Sequence, residues 1–373
     1  MMKIYQHGSL DLEYVRACGF LALLGLQTGD YDTLHKHLAT YHGICARLSL
    51  HDESQWGTLS ELGTCEVELR RRLYWAMYRL EVHSACVLGH MIRSPELQTN
   101  VGYPIGLHHP AFVSGHDGDF EDWFAGWNTT TDLYLILEHT IVEFRARRRR
   151  REISGPRYYP EGQATIHQRL ADIEQRALPQ FHEVHEKSTD SGRNRCGFQA
   201  TNILFTIHLI KIFTTEPTPR SIRGAAEALL DSVKRVPPEY IRANGRRLLE
   251  ELAGTALMVG TIATRSSTSR EEAQSSIALQ HALASFIESS TSANGTAAAW
   301  VVRLWRQLSE NGLRSSQVDL PAGENIDLAA VSHNEAEENQ WRELLDVNGL
   351  MSETGIFSTH LRPGLILHPR WPE

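Results

Sequence analysis

The sequence predicts an all-α protein. Three observations carry that reading: apolar residues recur at helical spacing along most of the chain, convincing strand alternation is absent, and prolines and glycines fall where such stripes begin and stop. The first stripe runs from about Leu10 to Thr28 and the second from about Asp32 to Leu48, with Gly29-Asp30 as a turn short enough to force antiparallel packing. A third helix is predicted from about Glu61 to Gly89, with Leu69, Leu73, Met77, Leu80 and Val87 as its inner stripe. Its acid-before-base pairs, Glu66 to Arg70 and Glu68 to Arg72, are expected to support the outer face. Arg93 to Asp119, with Pro95, Pro104 and Pro110, reads as a surface or pocket-lining loop.

A long helix is then expected from about Trp123 to Arg150, ended by Gly155, Pro156 and Pro160. Further helices follow at about Ala164 to Ala177, Gln199 to Phe213, Pro219 to Val236, Glu239 to Ala263, Arg270 to Ser289 and Thr296 to Leu308. Lys187 to Gly197, rich in Ser, Gly and Arg, reads as an exposed loop. This divides the chain into a multi-helix domain of antiparallel pairs over 1–308, an acidic flexible linker over 309–339, and a short C-terminal helix and tail over 340–373.

Composition bounds the function. The 373 residues are 41% hydrophobic and 22% charged, as expected of a folded soluble protein, and no apolar run is long enough to suggest a membrane span or signal peptide. A soluble intracellular protein is expected. The formal net charge of -8 repels a phosphate backbone, so any nucleic-acid contact must come from a local basic patch. The five cysteines, Cys18, Cys45, Cys65, Cys86 and Cys196, contain no CxxC pair and read as free thiols rather than a disulfide framework or zinc module.

Catalytic signatures are missing: there is no GxSxG, Walker loop, GxGxxG or HExxH. His182 and His185 share a helical face but lack a third metal ligand, and Asp117 to Asp122 fails the calcium-loop pattern at its sixth and twelfth positions. No catalytic residue, cofactor site or metal site is therefore assigned. Arg145, Arg147, Arg148, Arg149, Arg150 and Arg151 place six guanidinium groups in seven residues, more than helix stability explains, because like charges at i,i+4 repel. Arg147 to Arg151 is read either as a nuclear import signal or as a solvated helix C-terminus that complements the dipole. Between Asp319 and Asp346 lie eight acids, and the segment ends in Trp341-Arg342-Glu343-Leu344-Leu345, the acid-plus-hydrophobe composition of an activation segment centred on Trp341, Leu344 and Leu345.

Ala46-Arg47-Leu48-Ser49-Leu50-His51, then Glu68-x-Arg70-Arg71-Arg72-Leu73-Tyr74-Trp75-Ala76-Met77-Tyr78-Arg79-Leu80-Glu81 and Leu88-Gly89, resembles the regulatory middle region of fungal binuclear zinc cluster transcription factors. In that family "A-R-L-G-L-H" leads through a loop to "E-x-R-R-R-L-F/Y-W" and a "G-R-P" turn. Arg47, His51, Glu68, Arg70, Arg71, Arg72, Trp75 and Gly89 are the matching motif positions. Ser49 stands where Gly is usual, Asp52 where a base is usual, Glu81 for Asp, and His90-Met91 for Arg-Pro. The family's six-cysteine zinc cluster has no counterpart in this sequence, so zinc is expected only on such a missing module.

The resemblance implies a nuclear regulatory domain, shuttling with the cytoplasm, whose partners are the transcription machinery or a full-length zinc cluster factor, a second copy, and a small-molecule inducer. No membrane partner and no sequence-specific DNA binding by this chain alone are expected, because the family's zinc cluster and basic linker supply the base readout. Physically, Arg70 to Arg72 are expected to lock the helices together through charge-assisted bonds to neighbouring carboxylates and helix ends. Two other readings stand beside this: an α-helical enzyme of secondary metabolism on the same scaffold, with Leu107-His108-His109 to His116 supplying an acid or base, and a partner that sequesters a full-length factor.

Overall fold

In a computed structural model of the protein, the described residues are 5–57, 59–105, 119–150, 163–215, 218–263, 269–290, 304–306 and 308. Among them the fold is all-α, with no strand. Helix α1 (Tyr5–Thr28) turns at Gly29 into α2 (Tyr31–Arg47), where Asp30 Oδ1 accepts from Thr33 N at 3.0 Å and caps the new helix. The two helices approach closely at Gly25, where a Cβ would lie 2.6 Å from the backbone nitrogen of Leu34. Helix α3 (Leu59–Leu88) changes direction at Gly63 (φ 74, ψ 151). Helix α4 (Asp119–Arg150) packs on α6 (Ser191–Thr214), with α5 (Gln163–Arg176) beside both. Then come α7 (Pro219–Val233), α8 (Pro238–Asn244), α9 (Arg246–Ala263) and α10 (Arg270–Ser290).

One apolar core gathers α1 to α5 with one side of α6, including Leu34, Tyr41, Leu73, Tyr134, Leu137 and Ile210. A second gathers α7, α9 and α10 with Leu304 and Leu308. Helix α6 belongs to both, through Ile203, Leu209 and Ile210 on one side and Phe205 and Ile212 on the other. By length and composition α6 could cross a bilayer, yet here it is a core helix that buries Asn194, Gln199, Thr201, Asn202 and Thr206.

Three sequence expectations are corrected. Lys187 to Gly197 is not wholly a loop: α6 begins at Ser191, Asp190 accepts from Gly192 N at 2.9 Å, and Asn194 is buried with its side chain bonded to the backbone of Ser188. Polar composition hid a capped helix start. The helix expected over Glu239 to Ala263 breaks at Gly245, whose φ of 71 ends α8 before α9 starts at Arg246. Glu68 and Arg72 do not support an outer face: each side chain is 1% exposed, a buried ion pair at 2.7 Å. Several features lie outside the described residues: His108, His109 and His116, the side chains of Arg147 to Arg150, Arg151, the acidic segment, and Trp341, Leu344 and Leu345.

Candidate functional site

The family-like motif builds a strap. The irregular segment 93–105 has little backbone pairing of its own, so its N–H groups need other acceptors. Carboxylates on the helices supply them. Glu81 accepts from Arg93 N at 2.5 Å and Ser94 N at 3.2 Å, and its other contact is His42 Nε2 at 3.2 Å. Glu138 on α4 takes Glu96 N at 3.0 Å, Glu53 takes Gly102 N at 2.9 Å, and Glu68 takes Ile105 N at 3.2 Å. Trp75 Nε1 donates to Gly102 O at 3.0 Å, and the Asn100 amide donates to His51 O at 2.8 Å. Tyr103 OH and Asn128 Nδ2 fasten the far end to Asp132 and to Pro104 O.

The three consecutive arginines then divide their work. Arg70 pairs with Glu66 on its own helix at 2.7 Å, Arg72 with buried Glu68, and Arg71 with Glu53 beyond the helix. Of these three pairs, only that of Arg71 joins two elements. Glu53 is held below the usual carboxylate range by its bonds to Arg71, whereas burial pushes Glu68 up against the pull of Arg72. Arg47 is exposed at the end of α2. Ser49 adopts φ 51, which explains why glycine is usual there, and Gly89 closes α3 at φ 78.

A second polar cluster, absent from the sequence reading, lies where α3 and α4 meet α9. His83 is 1% exposed, with Nδ1 3.1 Å from Glu251 Oε1 and Nε2 3.5 Å from Glu250 Oε2. Glu250 Oε1 accepts from Tyr31 OH and Arg246 Nε, both at 2.7 Å. Burial opposes a charge on His83, but bonds to the two glutamates outweigh it and raise its pKa. Nearby, Arg79 lies 3.9 Å above the Trp127 ring and Arg247 5.0 Å from the Tyr134 ring. Burial, with Arg247 as a second cation, drives Arg79 down to about 9.

Pairing in this cluster is incomplete. Arg79 Nε, Arg247 Nε and Nη2, Tyr134 OH and Glu251 Oε2 are buried without a hydrogen bond. Arg79 and Cys86 are half-buried on the same stretch of α3, and burial also pushes the Cys86 thiol well up. The available signal was Arg79, His83 and Cys86 at spacings of four and three, which put the three groups on one helical face. Their partners Arg247, Glu250 and Glu251 are too distant in sequence to be paired with them by spacing.

Among the described residues, fold and site together define an all-helical protein with a carboxylate-strapped loop. Residues 3–109, the stretch that carries α1 to α3 and the strap, match the fungal specific transcription factor domain, a transcription factor domain rather than an enzyme family. No curated protein and no solved structure matches the chain.

Proposed function

We propose that the protein acts in transcription regulation as the regulatory domain of a fungal transcription factor, working without a zinc cluster of its own in this sequence and responding to a small molecule. The observation that carries this is the family match over residues 3–109, coincident with the motif that straps the 93–105 loop. Its place of action is the nucleus, reached through Arg147 to Arg151. Its output is the acidic segment ending in Trp341, Leu344 and Leu345, presented to the transcription machinery directly or through a full-length zinc cluster factor. A second copy is a further candidate partner. With a net charge of -8 and scattered cysteines, sequence-specific DNA binding by the chain alone is not expected.

The test is a fusion of the full chain to a heterologous DNA-binding module beside a reporter gene. Reporter output should rise above the module alone, and Trp341, Leu344 and Leu345 changed together to alanine should remove most of it. Output no higher than that of the bare module overturns the activator reading. In a fluorescent fusion too large for passive diffusion, alanines at Arg147 to Arg151 should abolish nuclear accumulation. Unchanged accumulation assigns the run to the helix end instead.

A further inference from the structure

Buried cations normally carry a carboxylate with them, because an isolated guanidinium loses its hydration with nothing in return. The strap obeys this rule with Arg72 and Glu68. Arg79, half-buried, lacks that company: among the described residues no carboxylate pairs with it, its Nε is buried without a partner, and the charge that acts on it is a second cation, Arg247. Arg247 is itself served only at long range, its Nε 3.7 Å from Glu251 Oε1, and both Nε and Nη2 lack a hydrogen bond. That Glu251 oxygen is already engaged by His83 Nδ1. Tyr134, whose ring underlies Arg247, is fully buried with its hydroxyl unpartnered. Counting Arg79, Arg246 and Arg247 against Glu250 and Glu251 leaves one positive charge uncompensated before His83 is considered.

We propose that Arg79 and Arg247, together with the Tyr134 hydroxyl, hold the carboxylate of a small organic acid between α3, α4 and α9. Each guanidinium presents planar N–H donors that match the two oxygens of a carboxylate, and the phenol adds a third donor. The stacking of Arg79 on Trp127 and of Arg247 on Tyr134 fixes both forks before the ligand arrives, so little rotamer entropy remains to be lost. The aromatic walls favour a singly charged head on an apolar body over inorganic phosphate, whose further charge would find no matching cation. The site also joins α3, inside the family-matching stretch, to α9, outside it, so occupancy tightens one against the other. Binding rests on this geometry alone; its role as the effector event rests on the regulatory reading above.

The probes are benzoate, phenylacetate and hexanoate, with inorganic phosphate and chloride as comparison anions, added to the full chain in a thermal unfolding assay. At least one acid should raise Tm by about 3 °C or more near saturation. The rise should vanish in Arg79→Met and Arg247→Met and fall by half or more in Tyr134→Phe, which removes a single oxygen. Arg176→Ala, exposed at the end of α5, should keep the full rise. Circular dichroism of each variant confirms that it is folded. No rise with any of the three acids, an equal rise in Arg79→Met, or a larger rise with phosphate overturns the proposal. The reporter fusion separates the two levels: a chain that binds the acid while its reporter output stays at the bare-module level overturns the regulatory reading and leaves the site standing.

Discussion

The strap over residues 93–105 and the cluster between α3 and α9 both draw charged side chains from α3, and their carboxylates are used differently. In the strap, Glu53, Glu68, Glu81 and Glu138 each end on a named backbone N–H. In the cluster, Arg79, Arg247 and Tyr134 keep buried polar atoms unpaired, as do Glu250 and Glu251 with one carboxylate oxygen each. A satisfied buried network rigidifies a fold, whereas an unsatisfied one costs stability and is retained where something else completes it. The same helix therefore carries structure on one face and an open binding chemistry on another.

The sharpest way to break this contrast is to unpair the strap. Arg72→Met should destabilise the protein by about 3 kcal/mol, because Glu68 is left buried beside Ile105 N with no cation. Chemical denaturation measures it, and a loss under 1 kcal/mol would show that the strap tolerates an orphan as the cluster does. Arg79→Met should have the opposite sign in the absence of ligand, a gain of about 1 kcal/mol, since it removes a half-buried cation whose Nε is buried with no partner and no carboxylate. A loss of comparable size would mean that Arg79 is already satisfied in the free protein. The smallest effect is a pH slope. His83 has its pKa raised in the fold, so its contribution is fully present below the unfolded histidine value of about 6.5 and fades as pH rises through the higher folded one. Stability should therefore fall on that limb in the parent and stay flat in His83→Gln, read from denaturation midpoints across the range.

Helix content was legible because a 3.6-residue stripe needs no knowledge of partners: α1, α2, α3 and α10 run close to where apolar spacing placed them. Boundaries failed where one residue decides. Gly245 falls inside a span that spacing assigns to one helix, yet its positive φ divides α8 from α9. Asp190 looked like loop composition and is a cap. The Glu68 and Arg72 pair illustrates a deeper ambiguity. Spacing at i,i+4 reports that two side chains meet, and nothing local reports whether water also reaches them. The motif residues were found because they repeat a known order of letters, whereas the His83 cluster joins positions about 168 apart, a separation visible only once the chain is folded.

The corner at α9 bears on where this chain can be cut. Gln27 Oε1, at the end of α1, accepts from Arg246 N at 3.2 Å, and Tyr31 at the start of α2 reaches Glu250. The stretch 3–109 thus makes hydrogen bonds to residues far outside it. A fragment ending there would turn His83 and Arg79 out into water and strip the acceptors from Tyr31 and Glu96, the latter bonded to Glu138 on α4. Tyr31 and His83, both inside the stretch, end on carboxylates of α9, so a substitution at Glu250 or Glu251 is felt in α2 and α3.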